Sequence, residues 1–340
     1  MSEMMKAAVF ESEGVLTLKE VPVPRIERPD QVLLKVEAVS ICGTDVHMTA
    51  VPPGYIATPN TILGHEFVGT VVEMGEDVHH LQIGDRVVVN PNNYCGTCVY
   101  CRKNMPNECE HIEALGIDYD GAFAKYCRVS GKVAYRISKD VPVDVAACAE
   151  PLACAVNGLK KVRVIPGDTA VIIGGGPIGL MLAMLLKASG AGRIFLLEVA
   201  PYRIEFAKKL GFMEVVNSME QDAGAIINAA TGIGADIVYD VTGSQIKSAV
   251  NLVRKGGSVV LFGVNKRAAA NIAQCEITTK EIAVLGTWLA NATFPEAVRI
   301  LEEGLIDIQS LITDVIPLED VKSGIEKLAK GQAVKVNVRP

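Results

Sequence analysis

The pattern of apolar and polar positions changes character near residue 151. Before it, short runs rich in branched aliphatic residues are broken by turn residues. Residues 32–39, 69–74 and 86–89 read as strands. Clusters such as Val51-Pro52-Pro53-Gly54 and Gly84-Asp85 punctuate them. This part of the chain is expected to be mostly β. After Pro151 the runs alternate between strand and helix. Residues 169–173 form a buried-strand run, followed by a glycine turn and a helical run over 178–188. Residues 193–197 read as a strand, 203–210 as a helix, and 235–240 and 258–262 as further strands. Such alternation predicts a parallel sheet covered on both faces. Helical patterns over 295–303 and 318–330 and a strand-like 333–338 close the chain, and no internal repeat or low-complexity segment occurs.

Length and composition narrow the picture. A chain of 340 residues is too long for one ordinary domain. Apolar residues make up 49% but aromatic residues only 5%, so the cores must be aliphatic. The net charge is −6 with no block of basic residues, so neither nucleic acid nor an anionic membrane is expected as partner. Residues 1–10 contain Glu3 and Lys6 and no apolar core of a signal peptide. The longest apolar stretch, 170–186, is interrupted by glycines and Pro177 and falls short of the ~20 residues that span a bilayer. A cytoplasmic location is the expectation.

Gly174-Gly175-Gly176-Pro177-Ile178-Gly179 fits G-x-G-x-x-G with Gly174, Gly176 and Gly179 in the three glycine positions. A plain tight turn also accommodates these residues. Here the motif follows a strand and opens a helix, which aims free N–H groups and the positive dipole end at a pyrophosphate. Gly176 leaves room for the phosphate, and Gly179 lets the helix pack on the strand. Glu198 ends the next strand, where a carboxylate accepts hydrogen bonds from the adenosine ribose and repels a 2′-phosphate. NAD is therefore expected over NADP. Arg203 lies near and either flanks the adenine or is a surface arginine.

Four of the nine cysteines, Cys95, Cys98, Cys101 and Cys109, fall in one short loop. Four thiolates at this spacing close a tetrahedron around zinc and leave no open position, so the loop is read as structural. Iron–sulfur ligation and four unliganded thiols are the alternatives. A second set is dispersed: Cys42-Gly43-Thr44-Asp45-Val46-His47, Gly64-His65-Glu66 and Glu150-Pro151. Singly each is bland. Together they offer three ligands to a catalytic zinc that keeps one position open.

These segments, with the four-cysteine loop and the glycine turn, make the chain resemble the zinc-containing medium-chain dehydrogenase/reductases from end to end. It is similar most of all to the sorbitol, butanediol and threonine dehydrogenase branch, which uses a glutamate where other members place a second cysteine; Glu150 stands at that position. The resemblance implies α/β and β domains: a GroES-like catalytic domain from residues 1–152 and 290–340, with a structural zinc loop at 90–112, and a doubly wound Rossmann domain at 153–289. It implies Cys42, His65 and Glu150 near the catalytic zinc, with Glu66 a direct or exchanging ligand and Glu150 bound directly or through water. Thr44 and His47 match the family's proton relay. Zinc lowers the pKa of a bound alcohol, and Thr44 passes the released proton through a cofactor ribose hydroxyl to His47 near solvent. Ile178, beside Pro177, is implied under the pyrophosphate turn. Phe262, Gly263, Val264, Thr287 and Trp288 are implied near the nicotinamide, and each is also an ordinary strand end. His79, His80 and His111 match no motif and read as surface. Cys127, Cys148, Cys154 and Cys275 read as buried small residues.

Three functions compete. The leading one is a zinc-dependent, NAD-linked dehydrogenase of a secondary alcohol: a polyol, a sugar derivative or a vicinal diol. Exchange of a soft thiolate for Glu150 makes the zinc site favour oxygen ligands such as vicinal hydroxyls. The second is an L-threonine 3-dehydrogenase. The third, from another class, is a non-catalytic binding protein on the same fold. The resemblance also implies a homodimer or homotetramer joined through sheet edges of the cofactor domain.

Overall fold

The computed structural model describes residues 3–340; residues 1 and 2, where the expected first domain begins, lie outside the described residues. The chain forms two compact units, Met1–Ala153 with Ala290–Pro340, and Cys154–Leu289.

The first unit is built on a seven-stranded sheet. Its central strand, Gln31–Ser40, pairs antiparallel with Glu66–Met74, Tyr126–Ser130 and Lys335–Arg339. Partners along so much of its length explain why this strand is buried almost throughout, unlike a half-exposed alternating strand. The pairing with Lys335–Arg339 brings the last strand of the chain against one of the first, with Asn337 opposite Ser40 and Val338 opposite Val39. The Ile41 N–H then donates to Val336 O at 2.9 Å. A hairpin, Met4–Ser12 with Val15–Pro22, joins Thr61–Ile62 in a smaller sheet. That hairpin has no counterpart in the sequence reading, because Lys6, Glu11 and Glu13 blur its alternation. The core between these layers is aliphatic, with Phe10, Phe67 and Phe123 as its buried phenylalanines.

The second unit is a six-stranded sheet, parallel throughout. Its strands lie in the order Glu214–Asn217, Arg193–Glu198, Thr169–Ile173, Ala235–Asp240, Val253–Leu261 and Ala283–Gly286. Numbered along the unit this is 3-2-1-4-5-6, the order of a doubly wound dinucleotide fold. All five residues of Thr169–Ile173 are buried, as an inner parallel strand demands. Pattern reading does not find the strand Glu214–Asn217 or the helices Ala223–Thr231 and Ile246–Leu252. The strand is four residues long, half buried and at the sheet edge, so it shows no alternation. No helix among the described residues is long and apolar enough to cross a membrane.

The glycine turn follows the first strand of this sheet, beside the point where strand order reverses. The helix Pro177–Ala188 starts from Gly176 with proline in its first turn. Gly179 is fixed by space: a Cβ there would lie 1.9 Å from Gly174 O. The turn and the first helical turn touch backbone to backbone, so no side chain fits.

Cys127, Cys148 and Cys154 are buried, but Cys275 is exposed. It lies on the short helix Gln274–Thr278, which buries none of its side chains, so the expectation of a buried residue fails there.

Gly179→Ala is expected to destabilise the second unit by about 3 kcal/mol, since the added methyl has no room without moving the helix. Urea denaturation followed by circular dichroism checks this; an unchanged midpoint would show that the turn relaxes freely.

Candidate functional site

In the first unit, the end of the central strand sets up the site. Cys42 follows it and caps the helix Gly43–Thr49. Its Sγ accepts from the Thr44 N–H at 3.4 Å, while the Asp45 carboxylate reaches back to the Cys42 N–H at 2.8 Å. This reciprocal cap uses two otherwise orphaned helix donors and fixes the sulfur's direction. Thr44 and His47, three residues apart, share a helix face. Thr44 Oγ1 is 3.6 Å from Cys42 Sγ. His47, one turn later, is exposed.

His65 and Glu66 come from the neighbouring strand entrance. Gly64 precedes them with φ +91°, and a Cβ there would lie 2.9 Å from Phe123 N, so this sharp approach also requires glycine. The ligand atoms of Cys42, His65 and Glu66 all lie within 4.8 Å of one another. His65 and Glu66 are buried and Cys42 is half buried. Glu150, in the first turn of the helix Ala149–Leu159, is 7% exposed but lies outside that mutual group. Its carboxylate is near enough to help lift the pKa of His65.

Two residues that carried no role in the sequence reading complete the pocket. Asp45 is fully buried, and its Oδ1 lies 3.8 Å from His65 Nδ1. Neither of these two atoms has a hydrogen-bond partner. An aspartate facing Nδ1 orients the imidazole and leaves the other ring nitrogen for a ligand. Lys335, 1% exposed, pairs with Glu66. Asp45 could be suspected from its place three residues after a helix cap; Lys335 is 269 residues from its partner, and no local signal marks it.

The electrostatics follow from burial. Loss of hydration pushes the Cys42 thiol up, and the Glu66 carboxylate adds to the push. Burial likewise raises the Asp45 carboxyl. For His65 burial acts downward, but Cys42 and Asp45 outweigh it and hold the imidazole well above its usual range. Four acidic groups, Cys42, Asp45, Glu66 and Glu150, thus crowd one imidazole and one ammonium. Such a pocket is stabilised by a divalent cation, and the thiolate, imidazole and carboxylate donors fit zinc.

The four-cysteine loop is organised differently. All four sulfurs lie within 4.8 Å of one another, and Cys98 Sγ is 3.9 Å from Cys109 Sγ. Sulfurs at the corners of a zinc tetrahedron stand roughly 3.8 Å apart. Backbone N–H groups already point at them: Thr97 and Cys98 at Cys95 Sγ, and Cys95 and His111 at Cys109 Sγ. Those donors, Thr97 first, bring Cys95 down to about 5. Loss of hydration raises Cys101 to about 12. All nine cysteines are free of disulfides.

In the second unit, Glu198 is buried and accepts three backbone hydrogen bonds: from Gly175 at 2.9 Å, Val199 at 2.7 Å and Ala200 at 2.9 Å. It ties the glycine turn to the next strand. The open face of Gly176 looks toward Arg203 Nη1, and the Arg203 Nε is buried without a partner. Gly174 and Pro177 flank the turn, and Ile178 is half buried beneath it. Asp240, unmarked by any motif, organises the loop after its strand through Thr242, Gly243 and Gln245 N–H groups. Phe262, Gly263 and the exposed Val264 follow the fifth strand of the sheet; Thr287 and Trp288 follow the sixth. The Trp288 and Leu289 carbonyls are held by Asn157 Nδ2 at 3.2 and 2.8 Å.

Comparison with known proteins shows the family. The alcohol dehydrogenase GroES-like domain model matches residues 28–139, and the zinc-binding dehydrogenase model matches residues 177–303. The chain belongs to the zinc-binding alcohol dehydrogenase family. This zinc-binding dehydrogenase combines a GroES-like domain with a Rossmann-type domain and is an oxidoreductase. It is 34% identical to D-arabinitol dehydrogenase 1 of Uromyces fabae, over 99% of this chain and 97% of that one. It is 37% identical to an L-threonine 3-dehydrogenase of Caldanaerobacter subterraneus subsp. tengcongensis, over 100% of both chains. A solved zinc-binding dehydrogenase of Sinorhizobium meliloti 1021, bound to NADP, superposes with a TM-score of 0.93 at 33% identity over 100% of both chains.

Metal analysis of the purified protein is expected to find two zinc ions per chain. Cys42→Ala is expected to lose one and to keep its fold, melting less far below wild type than a variant of the four-cysteine loop. Cys98→Ser is expected to lose the other and to melt several degrees lower. Exchanged phenotypes would reverse the two assignments.

Proposed function

We propose that this zinc-binding dehydrogenase oxidises a secondary hydroxyl of a polyol, sugar derivative or vicinal diol to a ketone, with NAD as hydride acceptor. The observation that carries the reading is the group of half-buried Cys42 with buried His65 and Glu66, with a hydroxyl beside it and an exposed imidazole one helical turn away.

In this reading Cys42, His65 and Glu150 hold the catalytic zinc, with Glu66 beside them, and Cys95, Cys98, Cys101 and Cys109 hold a structural zinc. When bound there, zinc would supply the Lewis acidity that lowers the pKa of a substrate hydroxyl, and NAD would supply the hydride acceptor. The chain's own residues do the rest. Asp45 orients His65 and holds the Cys42 backbone. Thr44, beside Cys42, would take the hydroxyl proton, and His47, exposed on the same helix face, would exchange it with water. The glycine turn, with Gly174, Gly176, Pro177, Ile178 and Gly179, cradles the pyrophosphate at a helix N-terminus. Phe262, Gly263, Val264, Thr287 and Trp288 line the nicotinamide end.

Glu198 supports NAD over NADP. In this reading its carboxylate meets the adenosine ribose and disfavours a 2′-phosphate, and its three backbone bonds hold it in place. Arg203 stands by the turn to flank the adenine. The substrate class rests on the oxygen-rich donor set, which suits vicinal hydroxyls, and on likeness to an enzyme named for D-arabinitol. The second reading, L-threonine 3-dehydrogenase, is favoured by full-length likeness to an enzyme of that name. A non-catalytic protein would need neither Thr44 nor His47 beside the ligand group. The enzyme is read as a cytoplasmic homodimer or homotetramer.

The deciding experiment is NADH formation across polyols, inositols and diols, with L-threonine alongside. Turnover of a polyol or diol at least tenfold faster than of threonine is expected; the reverse order would make threonine the substrate, and silence on the whole panel would remove the substrate class. In the same assay Glu198→Ala is expected to narrow the preference for NAD over NADP by about tenfold or more. An unaltered preference would take Glu198 out of cofactor selection.

A further inference from the structure

Lys335 stands apart from every other cation in the chain. It is the one lysine or arginine among the described residues that is buried, at 1% exposure. Its side chain starts from the last strand, Lys335–Arg339, whose backbone is pinned to Gln31–Ser40. Its ammonium donates to Ile41 O at 3.3 Å and to Glu66 Oε2 in an ion pair whose two side chains are each 2% exposed. One ammonium therefore grips the carbonyl just before Cys42 and the carboxylate just after His65. The reaction proposed above gives it no task.

A buried carboxylate needs a cationic or hydrogen-bonding partner. Glu66 has two candidates: Lys335, which is always present, and a metal that it would share with Cys42 and His65. Both cations draw on the same charge, and they repel each other across it. Resting on the catalytic-zinc reading of this pocket, we propose that Lys335 is a positioning residue that competes with the metal for Glu66. It holds the carboxylate through Oε2, lowers the affinity of the pocket for zinc, and keeps Glu66 from filling the coordination position that substrate needs. By linkage, each cation weakens the hold of the other on Glu66.

The test is zinc affinity, measured by chelator competition on the full-length protein, for wild type, Lys335→Met, Lys335→Arg and the double variant Lys335→Met/Glu66→Gln. Lys335→Met nearly conserves volume, so packing is kept while charge is lost. It is expected to hold the more labile zinc about tenfold tighter, within the usual range of coupling between two ligands of one site. Lys335→Arg keeps the charge and is expected to stay within about threefold of wild type. The gain should shrink or vanish in the double variant, measured against Glu66→Gln alone. With cobalt in place of zinc, Lys335→Met should also shift the visible absorption bands, which report ligand identity. A purely structural lysine would change melting temperature in all these variants and leave the affinity ratio between the two backgrounds at unity. Unchanged or weaker zinc binding by Lys335→Met, or an equal gain without Glu66, would overturn the proposal. Should the Met variant not accumulate, Lys335→Gln reads the same affinity. A wild type that takes up only the four-cysteine zinc would refute the reading of the pocket and this inference together, whereas two zincs with no effect of Lys335 would refute this inference alone.

Discussion

The antiparallel pairing of Lys335–Arg339 with Gln31–Ser40 is the contact on which the candidate site depends. It seals the central sheet of the first unit with the end of the chain. It also delivers two things to one place. The strand Gln31–Ser40 ends where Cys42 begins its helix, and the strand Lys335–Arg339 begins with the ammonium that meets Glu66. Ridding the unit of either strand would open the sheet and strand a buried charge. Stability and function therefore share the same hydrogen bonds in this part of the molecule.

The two candidate metal positions illustrate different physics. In the four-cysteine loop the backbone itself prepares for an ion: N–H groups aim at Cys95 and Cys109, and the sulfurs already stand near tetrahedral spacing. A loop of that kind closes on its metal and has no position to spare. In the Cys42 pocket the preparation is electrostatic. Burial and like charge push Cys42 and Asp45 toward their neutral forms, and an imidazole and an ammonium supply the opposing charge. That pocket is held together by charge balance, so it is the one in which coordination can change.

The second unit relies on space rather than charge. Gly179 lets the helix Pro177–Ala188 press against Gly174 O, and Glu198 then fastens the turn to the neighbouring strand. The carboxylate that is argued to choose the cofactor is thus also a part of the turn that binds it. Its fixed position gives its charge directional weight.

Much of this was legible in the chain itself. Local features that carry their own geometry could be read directly: the glycine turn between a strand and a helix, the clustered cysteines and the buried run 169–173. Each depends on neighbours within a few residues, so spacing alone fixes it. What escaped were features defined by distant partners or by marginal burial. The edge strand Glu214–Asn217 is too short and too evenly half-buried to show a period. Cys275 was expected to be buried because cysteine usually is, yet it is exposed on a short helix that buries none of its side chains. The near position of Cys42, His65 and Glu66, the offset of Glu150 from that group, the facing of Asp45 toward His65 and the burial of Lys335 against Glu66 all belong to tertiary structure. Sequence could name the donor types, because chemistry travels with residue identity. Only the fold could decide which donors meet and which charges must answer one another, because burial and Coulomb energy depend on distance in space and not along the chain.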